Sequence, residues 1–246
     1  MNSRSGHATG ALRSREDVGE MFDRISGRYD VMNRVMTGGR DIAWRDLTVR
    51  RALEGYPRGT AQVLDVATGT GDLAIALAEA GAGMVIGLDL APQMLAGAAE
   101  KSRRREIAGV SWLVGDAMRM PFADDTFDAC TVSFGLRNMP DYQEALIEMA
   151  RVLRPGGRFL CLELTPMRTP LVGPAFDWYF EQVVPLIGGA LTGDRDAYRY
   201  LPKSVAAFPA APQLAAMMRV AGMVDVRWKR LGAGTVALHE GRIPKD

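Results

Sequence analysis

The middle of the chain alternates short apolar runs with amphipathic segments. Apolar runs of a few residues predict buried strands, and apolar positions recurring at three- and four-residue steps predict helices. The predicted strands cover residues 61–67, 84–90, 110–114, 127–134 and 158–164. Helices are predicted over residues 71–80, 92–104 and 141–153. Strands alternating with helices indicate right-handed crossovers and a mostly parallel sheet.

The two ends of the chain carry different patterns. Residues 20–54 predict two or three short helices, and residues 171–190 are aromatic and apolar. A helix over 213–222 precedes two late strands, 223–228 and 235–239, which predict an antiparallel hairpin. The expected organisation is a disordered tail over 1–17, an N-terminal helical cap over 18–60, and a core over 61–246 with a helical insertion at about 167–210.

Composition narrows the class of protein. The chain of 246 residues is 48% hydrophobic and 24% charged, with a net charge of +1. A disordered chain is poorer in apolar residues, and a general nucleic-acid binder is more basic. The two cysteines, Cys130 and Cys161, lie in apolar runs and predict buried thiols in a reducing compartment.

The charge is unevenly distributed. Residues 1–60 carry a net charge of +3, residues 61–166 carry −5 and residues 167–246 carry +3.

The longest apolar stretch, 183–191, is broken by Pro185 and is too short to span a bilayer. Residues 1–17 lack the apolar segment of a secretory signal. We therefore expect a cytoplasmic protein.

A glycine-rich turn follows the first predicted strand, in VLDVATGTGDL (63–73). Gly69 and Gly71 permit a tight strand-to-helix turn and close approach of a ligand to the backbone. Together with Ala74 they also fit the G-x-G-x-x-A dinucleotide pattern, so the turn alone leaves the ligand open.

Acidic residues follow the next strands. Asp89 ends the second strand, where a carboxylate can accept both ribose hydroxyls, and Asp116 with Ala117 follows the third, where they can bond an adenine edge. RVLRPGG (151–157) joins the last helix to the fifth strand. The carboxyl ends of parallel strands meet at one edge of the sheet, so this order predicts an adenosine-containing ligand.

These segments resemble the class I S-adenosylmethionine-dependent methyltransferases. The resemblance is closer still to the demethylmenaquinone and ubiquinone-precursor C-methyltransferases within that class. It rests on FDRISGRYDVMN (22–33), GDAMRMPFADDTFD (115–128), SFGLRN (133–138), RVLRPGGRFLCLEL (151–164) and AGTVALHEG (233–241). It implies an α/β Rossmann-like fold: a mostly parallel seven-stranded sheet with a C-terminal antiparallel hairpin and helical caps.

The resemblance also implies S-adenosylmethionine as the cofactor. Its expected contacts are Thr68, Asp89, Asp116, Ala117 and Ser133, with Gly69 and Gly71 of the loop. Asp65 is expected to order the loop and favour a cationic ligand. No metal is implied.

The implied reaction is methylation of a ring carbon on a reduced quinone. Loss of a neighbouring hydroxyl proton makes that carbon nucleophilic, so the site must stabilise a phenolate. Arg137, just past the fourth strand, and Tyr29 in the YDxMN motif are the catalytic candidates. A structural role is the alternative for each: a salt bridge for Arg137 and packing for Tyr29. Glu163 is expected to pair with a local arginine, and His239 to be structural.

The sequence departs from the family pattern at several positions. The first glycine of the usual methyltransferase loop is Ala67, and the usual Ser and His before Trp44 are Thr37 and Asp41. The usual Ser after the fifth strand is Thr165. Thr retains a hydroxyl, whereas Asp in place of His removes any role as a cation.

The implied acceptor is a prenylated quinol, and demethylmenaquinol is favoured over the benzoquinol precursor of ubiquinone. Methylation of another small molecule, a dinucleotide-dependent oxidoreductase and a non-catalytic cofactor-binding module are the alternatives. Residues 171–190 can line an apolar channel, contact a membrane surface, or pack as a core helix. A homo-oligomer and a location at the inner face of the membrane fit the same hypothesis, and no nucleic-acid partner is expected.

Overall fold

The fold is built on one sheet of seven strands. The computed structural model describes residues 31, 34, 36–166 and 202–245, and the predicted tail, Tyr29 and residues 171–190 lie outside them. The strands are β1 (Gln62–Val66), β2 (Met84–Asp89), β3 (Val110–Val114), β4 (Phe127–Ser133), β5 (Leu153–Leu164), β6 (Val224–Leu231) and β7 (Val236–Arg242). The helices are α1 (Arg40–Ala52), α2 (Asp72–Glu79), α3 (Pro92–Arg104), α4 (Tyr142–Arg151) and α5 (Ala211–Val220). Short 3₁₀ turns cover Leu136–Asn138 and Gly232–Gly234, and residues 202–207 are helical.

The strand order is β3-β2-β1-β4-β5-β7-β6. The pairs among β1 to β5 are parallel, while β7 runs antiparallel to both β5 and β6. This arrangement confirms the predicted parallel sheet with a terminal antiparallel hairpin. The chain proceeds outward from β1 to β3, then returns to place β4 on the other side of β1. A crevice for ligands opens at such a reversal, at the carboxyl ends of the strands.

Both faces of the sheet are covered, which explains why its strands read as continuous apolar runs. Leu64 and Val66 of β1 point into a cluster with Leu146 of α4, whereas Val63 belongs to a second cluster with Val49 of α1. Successive residues of β1 thus point to opposite faces of the sheet and pack in different clusters. The helix α1 is therefore part of the core on one face of the sheet.

Residues 155–157, which precede the predicted fifth strand, lie inside β5. Phe127 pairs with Leu153, but Ala129 pairs with Arg158, so extra residues of β5 bulge out of the ladder between them. Gly156 occupies the left-handed region with φ +78°, which a bulge requires. The glycines therefore mark an irregularity in the strand, and β5 begins five residues before the position predicted.

Candidate active site

The loop between β1 and α2 turns through three left-handed residues. Ala67, Gly69 and Gly71 have φ values of +51°, +56° and +80°. A side chain on Gly71 would collide with the Trp112 ring, so glycine is required there on two grounds. Ala67 has a side chain in this conformation, and its Cβ fills the space that a side chain on Gly135 would enter, only 2.5 Å away.

Asp65 organises this loop from beneath. The residue is 1% exposed and accepts hydrogen bonds from Thr68 Oγ1 at 2.6 Å and Thr131 Oγ1 at 2.7 Å. Burial raises the pKa of Asp65 to about 6, although the two hydroxyls and Arg45 oppose that rise. The contacts of Asp65 agree with its predicted role in ordering the loop.

Asp89 joins the glycine loop to the end of β2. Its Oδ2 accepts a hydrogen bond from Gly69 N at 2.7 Å, and its Oδ1 accepts one from Ala91 N at 2.9 Å. The side chain therefore holds the loop, and it also lines a cavity at the carboxyl end of β2.

Asp116 has a similar arrangement after β3. Its Oδ1 accepts a hydrogen bond from Met118 N at 2.9 Å, which closes a tight turn around Ala117. The turn fixes the carboxylate and the Ala117 backbone side by side. Both residues face the same cavity as Asp89.

This cavity occupies about 770 Å³, including its open mouth, at the carboxyl edge of β1 to β4. The predicted residues that line it are Gly69, Asp89, Asp116 and Ala117. The other walls are largely apolar: Leu88, Leu90, Met94, Met118, Phe134 and Met139. An apolar slot with a few carboxylates at its rim suits a flat base joined to a sugar.

A smaller polar recess of about 360 Å³ adjoins the glycine loop. It shares Ala67, Gly69 and Phe134 with the larger cavity. Besides Gly69, three predicted residues line it, namely Asp65, Thr68 and Ser133. The predicted cofactor residues thus divide between two adjoining spaces, while Gly71 lines neither and serves the turn itself.

Two side chains here present buried polar atoms without a hydrogen-bond partner. One is Ser133 Oγ in the recess, and the other is Asn138 Oδ1 in the larger cavity. An unsatisfied buried polar atom is destabilising by about 1–3 kcal/mol, so a ligand that bonded to these atoms would gain from them. Ser133 was predicted, and Asn138 was missed although the SFGLRN motif contains it.

Arg137 lines neither space. Its Nη1 donates to Glu163 Oε1 at 2.7 Å and to the Phe134 carbonyl at 2.6 Å, and its backbone N donates to Glu163 Oε2 at 3.2 Å. The side chains are 7% and 1% exposed, so this is a buried ion pair. The predicted pairing of Glu163 with a local arginine is confirmed, and Arg137 makes the salt bridge that was the alternative to its catalytic role.

Two of the residues that depart from the family pattern, Thr37 and Asp41, are hydrogen-bonded to each other. Asp41 is buried and accepts hydrogen bonds from Thr37 Oγ1 at 2.9 Å and Arg45 Nη1 at 2.7 Å. Thr165 places an unpartnered hydroxyl in the interior just after β5. Asp41 is therefore the anionic member of an ion pair, and Arg45 is a lining residue of the recess that sequence reasoning missed.

His239 has a structural position, as expected. Its ring is 1% exposed and bonds through Nε2 to the Ala211 carbonyl at 3.0 Å. Burial lowers the pKa of His239 to about 4. Within the described residues, no cluster of histidine, cysteine and carboxylate side chains has the makings of a metal site.

The mostly parallel seven-stranded sheet with its antiparallel hairpin is the fold of the class I S-adenosylmethionine-dependent methyltransferases. Solved structures of similar fold include a methyltransferase of this type from Aquifex aeolicus, at 18% identity with a TM-score of 0.59 over 81% of this chain and 89% of that one. The cyclase SpnF has a TM-score of 0.71 at 20% identity, over 99% of this chain and all of that one. A cyclase among these neighbours shows that likeness at this level concerns the fold alone.

Sequence comparison places the chain within that class. The model of the ubiE/COQ5 methyltransferase family matches residues 10–242, and the chain belongs to this family. A demethylmenaquinone methyltransferase of Thermus thermophilus is 47% identical over 91% of this chain and 100% of that protein. A ubiquinone/menaquinone biosynthesis C-methyltransferase of Desulfotalea psychrophila is 44% identical over 91% and 89%. The predicted family and fold are confirmed.

Proposed function

We propose that the protein methylates a ring carbon of a prenylated quinol, with demethylmenaquinol as the acceptor and S-adenosylmethionine as the donor. The observation that carries this proposal is the pair of adjoining spaces around the glycine loop, in a chain of the ubiE/COQ5 family. Relatives named for demethylmenaquinone at 47% and 44% identity favour the naphthoquinol over the benzoquinol.

The residues present fit the cofactor. Asp89 places a carboxylate in the cavity lining, where it suits a ribose diol, and Asp116 with Ala117 offers a carboxylate and backbone to an adenine edge. Thr68 and the loop backbone border the polar recess, which suits an amino-acid end. Ser133 Oγ, buried and unpartnered, supplies a further hydrogen-bonding group there. When bound, S-adenosylmethionine supplies an electrophilic methyl group on a sulfonium.

The chain must then activate and position the acceptor carbon. An acceptor held with its carbon about 3–3.5 Å from the methyl group reacts far faster than a free one. Arg137 remains our candidate for stabilising the phenolate, and Tyr29 for donating a hydrogen bond to it. Asn138, adjacent in sequence to Arg137, lines the larger cavity, so the segment that carries the buried ion pair borders the space proposed for the cofactor.

The prenyl tail of such an acceptor resides in a membrane. Within the described residues, no helix is both long and apolar enough to cross a bilayer. We propose that residues 171–190 receive the tail and that the protein works at the inner membrane face. The +3 charge of residues 167–246 supports this orientation, because anionic lipid surfaces attract basic segments.

The test offers the purified protein S-adenosylmethionine and short-chain reduced demethylmenaquinone, with products read by mass spectrometry. The expected product carries one additional methyl group on the ring. The reduced benzoquinol precursor, run in parallel, separates the two acceptors, and an assay with a nicotinamide dinucleotide tests the oxidoreductase alternative. Asp89→Asn is expected to lower cofactor affinity and methyl transfer together. Absence of ring methylation with both quinols would overturn the proposal.

A further inference from the structure

The polar recess contains an arginine that comes from outside the sheet. Arg45 lies on α1 and is 9% exposed. Its Nη1 contacts Asp41 Oδ2 at 2.7 Å and Asp72 Oδ2 at 3.0 Å. Its Nε and Nη2 make no hydrogen bond within the described residues, and neither nitrogen is sealed from solvent. Because Arg45 lines the recess, these two nitrogens leave donors available to a ligand there.

The carboxylates on either side of Arg45 have cations of their own. Asp72 contacts Lys101 Nζ at 2.6 Å, and Asp41 contacts Arg34 Nε at 3.5 Å. Three cations and two carboxylates thus alternate along this chain of contacts, leaving one positive charge in excess. The carboxylates align the guanidinium without consuming its full capacity, since Arg has five N–H donors.

We infer that Arg45 binds the α-carboxylate of the cofactor's amino-acid end, through Nε and Nη2, in the recess beside the glycine loop. This inference rests on the proposed function. It assigns a binding role to a residue of the N-terminal helix, whereas the other assigned cofactor contacts lie on the sheet edge. The carboxylate is the one anionic group of S-adenosylmethionine, and Arg45 is the one cationic side chain among the described residues lining this recess.

The charge pattern of the recess supports an amino acid as its occupant. A zwitterion needs a donor for its carboxylate and acceptors for its ammonium. Arg45 supplies the former, while Asp65, Asp72 and Ser133 Oγ supply the latter within the same lining. A planar guanidinium also matches the two oxygens of a carboxylate. The alternative is that Arg45 only ties α1 to α2.

Ligands that differ only in the amino-acid end separate these roles. Calorimetry would compare S-adenosylmethionine with its decarboxylated form, and S-adenosylhomocysteine with 5′-methylthioadenosine. Each comparison uses the wild type, Arg45→Gln and Arg45→Lys, with Arg50→Gln as the matched control on the exposed face of α1. Methylthioadenosine lacks the amino-acid end, so its affinity reports the integrity of the adenosine cavity.

Arg45→Gln is expected to weaken binding of S-adenosylmethionine and S-adenosylhomocysteine about 10- to 100-fold, the range for losing a hydrogen bond between charged groups. Binding of the decarboxylated ligand and of methylthioadenosine is expected to change less than twofold. Arg45→Lys should recover part of the loss, and Arg50→Gln should match the wild type.

Equal weakening of all four ligands would overturn the inference, because it would show a purely structural role. Unchanged affinity for all four would overturn it as well. Failure of the wild type to bind S-adenosylmethionine is a separate outcome and would contradict the proposed function itself. Circular dichroism and the affinity for methylthioadenosine identify a variant that has misfolded, and Arg45→Lys then carries the test.

Discussion

At the scale of single residues, strain concentrates at the junction of the two binding spaces. Ala67 and Phe134 both have positive φ, at +51° and +56°, and both line the cavity and the recess. A side chain in the left-handed region is unfavourable by about 1–2 kcal/mol. Such strain clusters at functional sites, where the surrounding structure enforces it.

We predict that Ala67→Gly stabilises the protein. Glycine adopts positive φ without steric cost, which outweighs its larger entropy in the unfolded chain, for a net gain of about 0.5–1 kcal/mol. The midpoint of thermal unfolding should rise by about 1–4 °C. Ala129→Gly, at a buried strand position without positive φ, should lower it. A lower midpoint for Ala67→Gly would show that its packing on Gly135 dominates.

Two buried groups give opposite pH dependences of stability. His239 has its pKa lowered by burial to about 4, so unfolding takes up a proton as pH falls from 6.5 to 4, and stability decreases. Asp65 has its pKa raised by burial to about 6, so the folded state takes up the proton first, and stability increases as pH falls from 6 to 3.8. Each effect amounts to about 3 kcal/mol.

We therefore predict that His239→Gln becomes progressively more stable than the wild type on acidification. The glutamine amide can donate to the Ala211 carbonyl in place of Nε2 but does not titrate. The difference in free energy of unfolding should shift in favour of the variant by up to about 3 kcal/mol between pH 7 and pH 4. Urea titrations across this range measure it. A difference independent of pH would refute the assignment, and Asp65→Asn should show the opposite trend.

At the scale of elements, the Arg137–Glu163 pair joins the turn after β4 to the end of β5. Both side chains are buried, and Glu163 also accepts from Leu164 N at 2.8 Å. Removing one member of a buried pair leaves an uncompensated charge, which is destabilising by about 3–5 kcal/mol. The pair thus holds the Phe134–Asn138 segment against the sheet.

Substitutions of Arg137 and Glu163 can distinguish a structural role of Arg137 from a catalytic one. Arg137→Gln and Glu163→Gln are each expected to lower the free energy of unfolding by about 3–5 kcal/mol in chemical denaturation. If the guanidinium stabilises a phenolate, Glu163→Gln should retain methyl transfer at temperatures where it is folded, whereas Arg137→Gln should lose it. Equal loss in both folded variants would count against a catalytic Arg137. Cofactor affinity measured alongside confirms that the site is intact.

The sequence predicted the strands and the acidic residues at their ends, but it did not predict the position of Arg45 or the bulge in β5. Buried strands such as β1, β4 and β5 were located because a covered sheet demands apolar runs, and the acids at the ends of β2 and β3 followed from parallel topology. β6 is largely exposed, and the glycines between it and β7 indicated the hairpin. Arg45 could not be found this way, because its position beside the glycine loop depends on how α1 packs against the sheet. The bulge in β5 was likewise misread, since Pro155-Gly156-Gly157 has the composition of a turn.

At the scale of the whole molecule, the predicted cofactor residues belong to four neighbouring strands and their loops. These strands, β1 to β4, surround the chain reversal, and they lie in the segment 61–166, whose net charge is −5. A ligand bound across their carboxyl ends would join segments distant in sequence. Binding should therefore stabilise the molecule globally.

We predict a single, ligand-dependent unfolding transition. S-adenosylhomocysteine at about 100 times its Kd should add about 2.7 kcal/mol to the free energy of unfolding, which corresponds to a rise of about 5–10 °C in Tm. Scanning calorimetry at several ligand concentrations measures the shift. Two transitions, of which only one moved with ligand, would show that the sheet does not unfold as one unit.

The meeting of the two spaces along Ala67, Gly69 and Phe134 has a kinetic consequence. The side chains proposed to bind the cofactor lie on either side of this junction, where they would contact its adenosine end and its amino-acid end. Neither end of the cofactor changes when the methyl group is transferred. The demethylated product keeps every one of these contacts and loses only the sulfonium charge. We therefore expect S-adenosylhomocysteine to inhibit the protein, and turnover would then require a separate activity that removes it.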